Sequence, residues 1–112
     1  MDKLLNMVGL AVRAGKVRFG TYMTERAVAD GKARLVVAAN DLGKDNRKKI
    51  ENKCAERRVP VVFWASRGEL GRAVGKKDTA VLCICDESLA GAVLRIADSQ
   101  KADSGKEGLP NE

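Results

Sequence analysis

Apolar positions recur along this chain with two different periods, and the switches between them mark out its elements. Leu4, Val8 and Ala11 fall at i, i+4 and i+7, with Leu5 and Val12 beside them, which predicts a helix over residues 2–14. Gly15 stands where a left-handed residue ends such a helix. Val17 to Phe19 reads as a short strand. From Thr21 a second helical face is set by Met23, Ala27 and Val28 and closed by Gly31. Leu35 to Ala39 is an unbroken run of small apolar residues before Asn40 and Asp41, the pattern of a strand covered on both faces.

Residues 44–58 are the most charged segment. Only Ile50, Cys54 and Ala55 are apolar there, and they share one side of a helix. Pro60 stops that helix and introduces a strand from Val61 to Trp64. Ser66 and Glu69 have capping-box spacing, which predicts a short helix from about residue 67 to Val74, ended by Gly75. Thr79 to Cys85 reads as a third buried strand. Asp86 can cap a last helix whose inner face is Leu89, Val93, Leu94 and Ala97. From about Ser99 the chain is polar and aperiodic, with two Gly and one Pro. The expectation is one domain over 1–98 and a disordered tail over 99–112. Helix and strand alternate throughout, which predicts an α/β fold built as a three-layer α/β/α sandwich.

Charge changes the picture from fold to partner. The chain has 112 residues, 45% of them apolar, and a net charge of +6. Residues 1–77 hold 18 Lys or Arg against 8 Asp or Glu, while residues 78–112 hold 3 against 7. A basic surface polarised in this way fits nucleic acid or an anionic membrane. No stretch approaches the roughly 20 apolar residues of a membrane-spanning helix, and Met1 to Leu5 lacks a basic leader, so a cytoplasmic protein without membrane contact is expected. An odd count of three cysteines suits a reducing compartment. There is no histidine, so the commonest metal ligand and near-neutral acid–base group are missing. No nucleophile has a base beside it, and no phosphate-loop spacing occurs. Cys83 and Cys85 share one face of a strand and read as small buried thiols rather than a zinc site. The expectation is a non-enzyme with no metal and no cofactor.

Three basic stretches are left as candidate chemistry. The first is the helix start at Gly20 and Thr21, with Lys16, Arg18 and Arg26 around it. A helix start carries unpaired N–H groups and partial positive charge, so it can hold a phosphate; otherwise it is a plain capped helix after a turn. Tyr22, in its first turn, is the aromatic placed to stack a base, whereas Trp64 reads as core. The second stretch begins at Lys44. Lys44, Arg47 and Lys48 oppose the macrodipole at their helix start, which points to a partner anion, although most of that helix reads as a solvated face with Glu51 and Glu56 pairing its cations. The third is the loop from Gly75 to Thr79, carrying Lys76 and Lys77.

Several short motifs occur in a specific order: Leu10 to Lys16, Gly20 and Thr21, Asn40 and Asp41 after a small-apolar strand, Val59 and Pro60, and Glu69 to Gly75. Together, over about residues 3–97, they resemble the kink-turn-binding ribosomal protein family, the large-subunit proteins named seven-Ae and thirty-e, and most closely its bacterial YlxQ-like branch. The resemblance implies a four-stranded mixed sheet and non-catalytic binding of kinked RNA stems with tandem G·A pairs. It implies RNA contacts at Gly20, Thr21 and Arg26 on the second helix, at Lys76, Lys77 and Thr79 before the last strand, and at Asn40, Lys44 and Arg47 after the first long strand. Where the family carries Asn and Glu, this chain has Tyr22 and Met23. Neither can accept a hydrogen bond from a base amine as a carboxylate does, so what carries over is contact with the backbone. The expected partner is structured RNA, chiefly ribosomal, bound by a monomer. The competing expectation is a protein-interaction module or ribosome-associated assembly factor with weak, nonspecific RNA binding.

Overall fold

In the computed structural model, which describes residues 2–108, nine elements alternate as the periodicities predict: α1 (Lys3–Arg13), β1 (Val17–Phe19), α2 (Thr21–Ala29), β2 (Leu35–Ala38), α3 (Lys44–Glu56), β3 (Val61–Phe63), α4 (Arg67–Val74), β4 (Val81–Ile84) and α5 (Glu87–Gly108). The strands form one mixed sheet in the order β1-β4-β2-β3. β2 and β3 are parallel, as the α3 crossover between them requires, and β4 runs antiparallel to both β1 and β2.

Side-chain alternation along the strands builds two cores. Leu35, Val37, Leu82 and Ile84 pack against α1, α4 and α5 with Leu4, Val8, Leu70 and Val93. Val36, Ala38, Val81 and Cys83 pack against α2 and α3 with Ala27, Val28, Ile50 and Cys54. The central strands β2 and β4 are buried on both faces, and the three-residue edge strands β1 and β3 are half-buried. The result is the three-layer sandwich predicted from the alternation.

Local signals match the sequence closely. Asp2 caps α1, accepting from the Leu5 N–H at 3.0 Å, and its other oxygen accepts from Trp64 Nε1 at 3.0 Å. Ser66 and Glu69 form the complete capping box. Gly15 and Gly75 adopt positive φ as helix-ending residues.

Three expectations shift. On α2 the buried residues are Thr24, Ala27 and Val28, while Met23 is exposed, because Thr24 rather than Met23 completes the i, i+3, i+4 stripe facing the sheet. On α3 only Ile50 and Cys54 are buried, and Ala55 faces solvent. The last helix continues past Ser99 to Gly108, Gly105 included, since a lone glycine within a helix costs only about 1 kcal/mol. The final part of the predicted tail, 109–112, lies outside the described residues.

Candidate functional site

Strand direction decides what gathers where. β1, β2 and β3 run the same way and β4 runs against them. Each of the first three strands is followed by a helix, so the N-termini of α2, α3 and α4 emerge at one end of the sheet. The loop between α4 and β4 reaches that same end. Ala39 N–H donates to Ala80 O, and Gly20 N–H donates to Val81 O, both across the β4 start.

The three helix starts are not equivalent. α4 is closed by its capping box, and the Arg67 N–H also donates to Asp41 Oδ1 at 3.1 Å. α2 begins at Gly20 and α3 at Gly43, and neither has a side-chain cap. Their leading N–H groups and partial positive charge are therefore open to an outside acceptor. Gly20 has φ 91° and ψ 161°, a conformation that only glycine adopts without strain.

The lysine-bearing loop is held over this end by backbone contacts. Lys76 N–H donates to Gly71 O at 2.8 Å, and Thr79 N–H donates to Arg67 O at 3.1 Å. Lys76 Nζ lies 4.5 Å from the centre of the Phe19 ring, beside the turn into α2. Lys77 and Lys44 are exposed. Thr79 is buried at 6% exposure, so it anchors the loop and does not present its hydroxyl. Tyr22 is 67% exposed, and its hydroxyl accepts from Arg26 Nη1 at 3.2 Å. Arg26 thus stands one turn up α2, bracing Tyr22.

Two further predicted contacts are engaged within the protein. Arg47 stacks over the Phe63 ring at 3.8 Å, with Nε 3.8 Å from Glu51 Oε2. Asn40 N–H donates to Ala65 O at 2.7 Å. Its side-chain amide is satisfied with the nitrogen toward Phe63 O at 3.2 Å and the oxygen toward the Ala65 N–H at 3.1 Å. Asn40 therefore clamps the β3–α4 turn, where Ala65 has a positive φ of 65°.

Lys16 and Arg18 do not surround the Gly20 turn. Cys85 N–H donates to Lys16 O at the opposite end of the sheet, and Arg18 pairs with Cys83 in mid-strand. Lys16 and Gly20 are separated by four strand steps, about 13 Å. Sequence reasoning also missed Gly43 and Arg67. Arg67 lines a concavity of about 120 Å³ between α2 and α3 with Thr21, Glu25, Asn46, Lys49 and Ile50. The available signal was Gly43 itself, standing where a polar cap would precede so charged a helix.

The thiols show no arrangement for chemistry. Burial pushes the Cys54 thiol up to about 11. Cys83 is also raised, first by burial and then by Cys85, whose sulfur lies 3.9 Å away. Among the described residues no three His, Cys, Asp or Glu side chains group to hold a metal, and no helix is long and apolar enough to cross a membrane.

Comparison with known proteins agrees with this architecture. The model of the ribosomal protein L7Ae/L30e/S12e/Gadd45 family matches residues 2–93. The RNA-binding protein YlxQ of Bacillus subtilis (strain 168) is 32% identical over 92 residues, covering 82% of this chain and 92% of that protein. The RNA-binding protein YlxQ of Enterococcus faecium is 35% identical over 75 residues, covering 67% and 73%. A protein of unknown function from Bacillus halodurans superposes with a TM-score of 0.85 at 32% identity, over 88% of this chain and 99% of that one. The Giardia lamblia 15.5kD RNA binding protein superposes with a TM-score of 0.73 at 30% identity, over 88% and 85%. The chain belongs to the ribosomal protein L7Ae/L30e/S12e/Gadd45 family.

Proposed function

We propose that this protein binds structured RNA, without catalysis, at the sheet end where α2, α3 and α4 begin. The observation that carries this reading is the pairing of two glycine-capped helix starts with the Lys76–Lys77 loop and Lys44. Backbone N–H groups and lysines there suit phosphate oxygens. The names of the relatives and of one structural neighbour support the same class of partner. The target in this reading is a kinked stem. A kink brings phosphates of two arms within reach of several elements at once, and it frees an unpaired base to stack on Tyr22. Tyr22 and Met23 do not read guanine edges in this scheme; specificity comes from shape. The proposal includes a ribosomal RNA as target, a cytoplasmic location and a monomeric protein.

The test is the triple variant Lys44→Ala/Lys76→Ala/Lys77→Ala, beside Lys53→Ala in the last turn of α3. The triple variant should lose about ten-fold or more in RNA affinity and lower the salt slope by about three, while the single variant stays within about two-fold. Equal losses in both would reduce the binding to general charge and move the search to an acidic protein partner.

A further inference from the structure

The other end of the sheet is basic as well, and the proposed RNA contact leaves it unused. α1, α2 and α3 all finish there. A concavity of about 400 Å³ is lined by Gly15, Lys16, Arg18, Gly31, Lys32 and Arg34, with Cys85 at its side. A second, of about 220 Å³, shares Gly31 and Arg34 and adds Arg57 and Arg58. Six cations therefore line one continuous surface.

The ordinary explanation is that cations compensate helix C-termini, and these sit where three helices end. The magnitudes do not balance. Three helix ends supply roughly half a negative charge each, against six full positive charges. None of the ion pairs among the described residues involves any of the six: those pairs are Arg47 with Glu51, Lys49 with Glu25, and Arg67 with Asp41. The nearest acids in sequence are not paired with them: Asp30, Glu56 and Glu87 take no part in those three ion pairs, and Asp86 accepts from the Leu89 N–H to cap α5. Lys16, Lys32, Arg34, Arg57 and Arg58 are exposed.

We infer that this end is a second RNA surface, one that holds the phosphodiester backbone of a separate duplex segment. The cations run along a rim shared by two concavities, as a chain of phosphates would. No aromatic side chain lines either concavity, so a mononucleotide's base would find no stacking platform. With the first site about 13 Å away across the sheet, the protein would bridge two RNA segments. This inference rests on the RNA reading of the first site.

The test is a sandwich assay with the full chain. The protein is loaded on an immobilised kinked RNA stem, washed, and offered a labelled duplex RNA of unrelated sequence. The native protein should retain the duplex. Lys16→Ala/Lys32→Ala/Arg34→Ala/Arg57→Ala should stay on the first RNA within about two-fold and lose the duplex by about ten-fold or more. A loaded native protein that fails to retain duplex, or a quadruple variant that retains it fully, overturns the second surface. Failure of the native protein to load on the kinked stem counts instead against the first site. The second is then read from free duplex binding, where no difference between native and quadruple variant overturns it.

Discussion

A methyl group on Gly71 would lie 2.5 Å from the Asp78 Cα and 2.9 Å from Lys77 O. No rotamer relieves that clash, because both atoms are backbone. The glycine is what lets the lysine loop lie flat on α4. Gly71→Ala should therefore destabilise the fold by about 1–3 kcal/mol and weaken RNA binding by displacing Lys76 and Lys77. Gly68→Ala is the matched control: its nearest atom is the Ser66 hydroxyl at 4.0 Å, and the better helix former should leave stability level or raise it by up to about 1 kcal/mol. Urea denaturation of both variants checks the pair.

Tyr22 is the exposed aromatic of the α2 start, braced by Arg26. Tyr22→Ala should cost about 1–3 kcal/mol in binding to an RNA with an unpaired base at its kink. Tyr22→Phe, which keeps the ring and loses only the hydroxyl, should retain most of the affinity. Fluorescence anisotropy with both variants measures the difference.

The cysteines differ in accessibility and in proton affinity. Cys54 and Cys83 are buried, while Cys85 is half-buried on the wall of the second basic end. The Cys54 thiol is raised from 9.0 to about 11, so the folded state holds that proton more tightly than the unfolded chain. The stability this contributes is complete below pH 9 and is lost as pH rises through about 11. Alkylation at pH 8 should label Cys85 in the native protein and all three cysteines after denaturation. Cys54 labelling as fast as Cys85 in the native state would contradict the burial.

Much of this was legible from residue order alone. The helix and strand periods located all nine elements, because Pro60, the Ser66–Glu69 box and Gly15, Gly31 and Gly75 punctuate them. The inward faces were legible where large side chains define them, as with Leu4 and Val8. They were not where a small polar residue takes the place, as Thr24 does in front of Met23. The site was legible only in part. Lys16 and Gly20 flank β1 and so lie at opposite ends of it by strand length alone, whereas strand direction, a property of pairing between distant segments, gathers the α3 start and the Lys76–Lys77 loop at the Gly20 end. The engagement of Asn40 with the Phe63–Ala65 backbone likewise depends on a neighbour distant in sequence.

In the proposed function, the sheet end formed by Gly20, Gly43 and the Lys76–Lys77 loop prefers a kinked RNA. The most direct test is a salt titration of binding to a kinked stem beside an unkinked duplex of equal length. Phosphate contacts make both affinities fall with salt, while stacking of an unpaired base on Tyr22 does not depend on counterion release. Binding should be tighter to the kinked stem at every salt concentration, with a preference that survives as the salt rises. Coincident curves that fade together would contradict it and leave a binder of RNA backbone without regard to shape.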